Sequence, residues 1–175
     1  MTSPTDTLQQ FEAIELAHAL VAWAADRAGV RALAIKGLVA TVHGLREAHA
    51  PSDVDVLVEP AGFDALTRQL REWGWRPRVG EITDFVARHH SITYLHDRWP
   101  CDIDVHRRFP GLLAPPEQVF EVLWERREVR PLAARPIPMA DWAGSVAIMA
   151  LHAVRGSTDD PRGTADLDDL TGLSR

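Results

Sequence analysis

The chain has one cysteine and one lysine among its 175 residues. A single thiol, Cys101, excludes an intrachain disulfide, which fits a reducing compartment and leads to the expectation of a cytoplasmic protein. Long apolar runs are also missing. The longest, ELAHALVAWAA, is too short to cross a bilayer and contains Glu15 and His18, so no membrane partner is expected. The opening residues, MTSPTDTLQQ, lack the basic-then-apolar pattern of a signal peptide. A surplus of positive charge is absent too. The formal net charge is -6, which argues against general nucleic-acid binding. All but one of the 19 basic residues are arginine, and this singles out Lys36.

Hydrophobic residues make up 46% of the chain and charged residues 25%, enough to bury a core and too apolar for disorder. Apolar spacing predicts a helix over 7–28, stopped by Gly29. RALAIKG reads as a short strand ending at Gly37, and LVATVHG as a short helix closed by Gly44. Pro60 opens a helix through FDALTRQLREWG. Short strands are expected at 75–79, 82–88 and 91–96, and helices at 116–127 and 141–155. Residues 131–138 read as a proline-rich connection. The fold class expected is α+β, with an α+β core at 1–110 and a mostly helical extension at 111–175 packed on it.

Two strands carry paired aspartates. SDVDVLVEP alternates Val54, Val56 and Val58 with Asp53, Asp55 and Leu57, and PCDIDVHRRF repeats the arrangement with Asp102, Asp104 and His106 on one face. Aspartate is disfavoured in strands and costly to bury unpaired. If the two strands are neighbours, three or four carboxylates converge, and hard oxygen ligands suit Mg2+ or Mn2+. Such ions clamp a phosphoryl transfer. One D-x-D alone is more often a solvent-facing strand, but two with apolar opposite faces favour metal. A zinc reading draws on His89, His90, His96 and His106, although no helical H-x-x-x-H spacing supports it. Metal-poised aspartates repel one another when no metal is bound. Neutralising Asp55 is then expected to stabilise the metal-free protein.

The segments IKG, SDVDVLV, LREWGW and DVH, in that order, resemble the nucleotidyltransferase superfamily, in particular its branch of uncharacterised nucleotidyltransferases. The resemblance covers about residues 10–110. It implies a mixed sheet flanked by helices and transfer of a nucleoside monophosphate from an NTP to a hydroxyl-type acceptor with release of pyrophosphate. Asp53 and Asp55 would be Mg2+ ligands. Asp104 would be the third carboxylate and a candidate base, with Asp102 the alternative. Lys36 and Gly37 stand where the superfamily has a glycine-rich turn, and would contact phosphate. Ser52 precedes the motif and bonds a phosphate or caps the strand. Relatives carry an arginine four residues before the first aspartate. Here that position is His49, with Arg46 three residues earlier, and either would supply the charge.

The resemblance does not name the acceptor, which would be a small molecule, a peptide or RNA. RGTADLDDL resembles a helix of toxin-type relatives and would bring Asp166 and Asp169 to the site. Two rivals remain: a non-catalytic nucleotide- or partner-binding relative, and a toxin-like enzyme that modifies tRNA. Cys101 is expected to be a buried structural thiol.

Overall fold

The alternation of Val54, Val56 and Val58 produces β2 (Asp53–Val58), the central strand of a seven-stranded mixed sheet. A computed structural model describes residues 8–46, 51–78 and 90–155 of the protein. The expected strand at 82–88, His49, and the tail with Asp166 and Asp169 lie outside the described residues. The other strands are β1 (Ala32–Ile35), β3 (Arg76–Pro77), β4 (Ser91–Leu95), β5 (Asp102–His106), β6 (Glu128–Leu132) and β7 (Arg135–Met139). Their order across the sheet is β3-β4-β5-β2-β1-β7-β6. β2 runs parallel to β5 and antiparallel to β1, so the two aspartate strands are neighbours. The helices are α1 (Gln10–Ala28), α2 (Gly37–Val42), α3 (Phe63–Glu72), α4 (Pro116–Arg126) and α5 (Trp142–Arg155). The expected mixed sheet flanked by helices is therefore the observed fold.

The two faces of the sheet have different tasks. Val54, Val56, Val58, Ile103 and Val105 point to one face, where α1 and α3 cover them. α1 contributes Ala13, Ile14, Ala17, Val21 and Ala24 at helical spacing, and α3 contributes Phe63, Leu66 and Leu70. Full burial of a large apolar side chain contributes about 1.5–3 kcal/mol, so this face is a major source of stability. On the other face, Leu33, Ile35 and Leu57 pack beneath Phe120 and Leu123 of α4 and Ile148 of α5. Further toward the starts of β2 and β5, the same face carries aspartates in place of leucine.

Residues 131–138, expected as a proline-rich connection, belong instead to the β6–β7 hairpin. The region after residue 110 therefore contributes strands as well as helices. Proline removes a ladder donor and is confined to strand edges. Pro131 lies on the outermost strand. Pro136 and Pro138 alternate in β7, so the donors they lack all belong to one edge of it. Pairing with β1 is accordingly short, at Ala34 and Met139, and Ala140 N–H donates to the Ala34 carbonyl at 3.0 Å.

The hairpin has no turn signature in its sequence. Its two loop residues, Ala133 and Ala134, both hold positive φ, 45° and 60°. Such turns favour Asn-Gly, because a Cβ is strained there. Replacing Ala133-Ala134 with Asn-Gly is expected to stabilise the protein by about 1 kcal/mol. Urea denaturation midpoints read this directly, and an unchanged or lower midpoint would contradict the turn.

Candidate active site

Parallel pairing sets Asp53 opposite Asp102 and Asp55 opposite Asp104. Opposed residues in neighbouring strands share a face and lie about 4.8 Å apart. The two D-x-D segments thus form a block of four carboxylates, but their surroundings differ. Asp55 is 3% exposed, whereas Asp53, Asp102 and Asp104 are half-buried.

Asp55 Oδ1 accepts two hydrogen bonds, from Lys36 Nζ at 2.5 Å and from His106 Nε2 at 2.8 Å. Ile35, the last residue of β1, lies opposite Asp55, so the chain turns at the level of the carboxylate. Lys36 makes that turn with φ 56° and ψ -157°, and α2 begins at the next residue. That backbone conformation is strained for any residue with a Cβ, and such strain persists where the surroundings over-determine it. Gly37, at φ 32°, follows; a Cβ there would lie 3.5 Å from Pro51 Cβ, so α2 starts close against the entry to β2.

Burial by itself would raise the pKa of Asp55. The Lys36 charge and the His106 hydrogen bond outweigh it and lower the value from 3.8 to about 2. Burial would likewise lower Lys36, but the charge and hydrogen bond of Asp55 bring a net rise above 10.5. Both groups are therefore ionised at neutral pH. An ionised carboxylate only accepts, so His106 Nε2 carries a proton in this contact. Its Nδ1 is buried with no hydrogen-bond partner.

Asp104 Oδ1 accepts from the hydroxyl of Thr93, the residue opposite it in β4. Asp102 is engaged by Arg78 at 2.6 Å. Among the described residues, one group of three side chains has metal-ligand spacing: Asp55, Asp104 and His106, with ligand atoms within 4.8 Å of one another. Asp53 and Asp102 share the face but stand outside that group. His106 Nε2 faces Asp55 with its proton, so the open donors are carboxylate oxygens, which suit Mg2+ or Mn2+. His106 then orients Asp55, as the outer partners of metal ligands do.

The histidine cluster of the zinc reading does not form among the described residues. His90 stacks on His106 at 5.9 Å between ring centroids, and His96 lies against Trp75 at 5.3 Å. Ser52 is exposed just before β2, and its carbonyl accepts from Asp102 N–H at 3.4 Å. Arg46 is half-buried beyond the end of α2. Cys101 is buried, and burial, then Asp102 and Asp53, push its thiol up to about 11. It is an inert thiol. Sequence reasoning missed Thr93 and Arg78. Alternation around the buried Tyr94 places Thr93 on the opposite face, but only the register puts it beside Asp104.

The expected gain in stability on neutralising Asp55 reverses sign, because Asp55 is buried and is the counter-ion of a half-buried lysine. Asp55→Asn should destabilise the metal-free protein by about 3 kcal/mol, the lower end for a broken buried pair, since Asn keeps an acceptor. A carboxyl whose folded pKa is depressed contributes stability above its ordinary value. That stability is lost as pH falls from 3.8 toward about 2. In urea melts of wild type and Asp55→Asn from pH 7 to pH 3 the gap should narrow toward the acid end without closing, because the folded-state carboxyl is still ionised at pH 3. Equal stability at pH 7 would contradict the pair.

No curated protein matches this chain in sequence. Its fold is similar to the solution structure of the antibiotic-resistance factor ANT(2'')-Ia, with a TM-score of 0.60 and 13% identity, covering 93% of this chain and 83% of the other. It is similar to the lincosamide antibiotic adenylyltransferase LnuA in its lincomycin-bound crystal structure, with a TM-score of 0.54 and 15% identity, over 91% of this chain and 96% of the other. It also resembles an antigenic nucleotidyltransferase-like protein from Paracoccidioides brasiliensis, with a TM-score of 0.62 and 13% identity, over 93% and 75%. At these identities the likeness speaks for the fold. The family described as uncharacterised nucleotidyltransferase matches residues 4–175, nearly the whole chain, and the protein belongs to that family of transferases.

Proposed function

We propose that the protein transfers a nucleoside monophosphate from an NTP to a hydroxyl on a small molecule, releasing pyrophosphate, in a Mg2+-dependent reaction. One observation carries this reading. Parallel pairing of β2 and β5 brings Asp55 beside Asp104, with Lys36 Nζ on Asp55. A divalent ion held by Asp55 and Asp104, with Asp53 and Asp102 on the same face, would offset charge on the phosphoryl oxygens.

The chain's own residues have separate parts. His106 holds the Asp55 carboxylate in one orientation. Thr93 occupies one oxygen of Asp104, which directs the other toward the acceptor. Asp104 takes the proton of the acceptor hydroxyl as the new oxygen–phosphorus bond forms and the bond to pyrophosphate breaks. Lys36 neutralises charge on the β- and γ-phosphates. Gly37 and Ser52 line the approach beside them, and Arg46 or His49 supplies further positive charge.

A small hydroxylated acceptor is favoured over RNA by two facts. The net charge of -6 opposes a polyanion. Structures of similar fold include one of ANT(2'')-Ia in complex with adenylyl-2''-tobramycin, covering 91% of this chain and 88% of the other at 13% identity and a TM-score of 0.59. No helix among the described residues is long and apolar enough to cross a membrane.

The test is pyrophosphate release from each NTP with Mg2+ and a panel of hydroxylated acceptors, aminoglycosides and lincosamides included. One NTP should bind with Mg2+ and lose that binding in EDTA. Asp104→Asn should lower kcat by about 100-fold or more and weaken the Mg2+-dependent part of NTP binding. Failure of every NTP to bind at millimolar concentration would overturn the enzyme reading in favour of a non-catalytic relative.

A further inference from the structure

Lys36 is the one lysine of the chain, and its ammonium lies on a candidate metal ligand. Its side chain is 17% exposed, and Nζ stands 2.5 Å from Asp55 Oδ1. The same oxygen accepts from His106 Nε2 at 2.8 Å. A carboxylate oxygen has two lone-pair directions, so both at Oδ1 are filled. The backbone of Lys36 is held at φ 56° to reach this place. A compact ammonium acts as a point charge, unlike the broad guanidinium this chain uses elsewhere. A dication and an ammonium on neighbouring positions repel each other.

We propose that Lys36 is a resident counter-cation that competes with the divalent ion for Asp55, so that metal is held firmly only when a nucleotide triphosphate draws Lys36 away. The inference rests on the nucleotidyltransferase reading of the site and adds a binding order to it. Without nucleotide, Lys36 offsets one of the charges that would attract metal. With nucleotide, the phosphate oxygens give Lys36 a new partner and the metal new ligands. Metal and nucleotide then favour each other's binding by the same factor.

Because there is only one lysine, the wild-type protein reports on itself. Protein grown with 13C-lysine gives a single Cε–Hε correlation. Millimolar Mg2+ alone should leave that signal in place, and Mg2+ with a non-hydrolysable NTP analogue should shift it. Mn2+ binding, followed by the EPR signal of the free ion, gives the second reading. Without nucleotide, Lys36→Met should bind Mn2+ at least about tenfold more tightly than wild type. Adding the analogue should raise the Mn2+ affinity of wild type more than that of the variant.

A lysine signal unmoved when the wild type is saturated with Mn2+-free Mg2+ and analogue would overturn the proposal. So would Mn2+ affinity in Lys36→Met no higher than in wild type. Should the variant fail to fold, the lysine signal of the wild type decides alone. No Mn2+ binding to wild type even with the analogue would instead remove the nucleotidyltransferase reading, and this inference with it.

Discussion

A charge in the middle of a sheet needs a counter-charge, and the neighbourhood of Asp55 is arranged around that need. Asp55 sits on the central strand with 3% exposure, where an unpaired carboxylate would be costly. Lys36 and His106 meet it on one oxygen. The lysine must arrive from the end of β1, and this accounts for the strained turn before α2. The histidine must arrive from β5, and this ties β5 to β2 through side chains as well as through the backbone ladder. One of the two groups that satisfy Asp55, Lys36, is also a cation of the kind a phosphoryl-transfer site needs.

The same sheet separates stability from chemistry. Valines and isoleucine on one face bury against α1 and α3, while carboxylates occupy the other. A clamp at the far end keeps α4 seated on the carboxylate face without crowding it. Arg31 pairs with Glu59 at 2.8 Å and with Glu121 at 2.6 Å, and its guanidinium lies over Phe120 and Trp124 at 5.1 and 5.6 Å. This fastens α4 to β1 and to the end of β2, away from Asp53 and Asp55. Surface ion pairs contribute little individually, but a guanidinium shared between two carboxylates and two rings fixes orientation.

Much of this was legible in the sequence, for stated reasons. Period-two valines marked β2 to the residue, and Gly29, Gly44 and Gly74 marked the ends of helical segments. The D-x-D repeat announced a carboxylate face, because aspartate in a buried strand demands an explanation. Lys36 stood out by composition alone. The hairpin at 128–139 was hidden because its prolines read as a linker and its Ala-Ala turn carries no signature. The Lys36–Asp55 pair was hidden for a different reason. It depends on antiparallel register between β1 and β2, and register is a property of pairing rather than of either strand. Thr93 was invisible on the same ground. The sign of the Asp55 contribution to stability followed from that missing partner.

Asp55 and Asp104 are proposed to hold a divalent ion together beside a bound nucleotide. Crystals grown with Mn2+ and a non-hydrolysable NTP analogue, measured for anomalous scattering from manganese, test it most directly. A manganese peak bound by carboxylate oxygens of both Asp55 and Asp104 is expected, with Lys36 Nζ on the triphosphate. A peak away from these two residues, or a nucleotide bound elsewhere while Lys36 remains on Asp55, would contradict it.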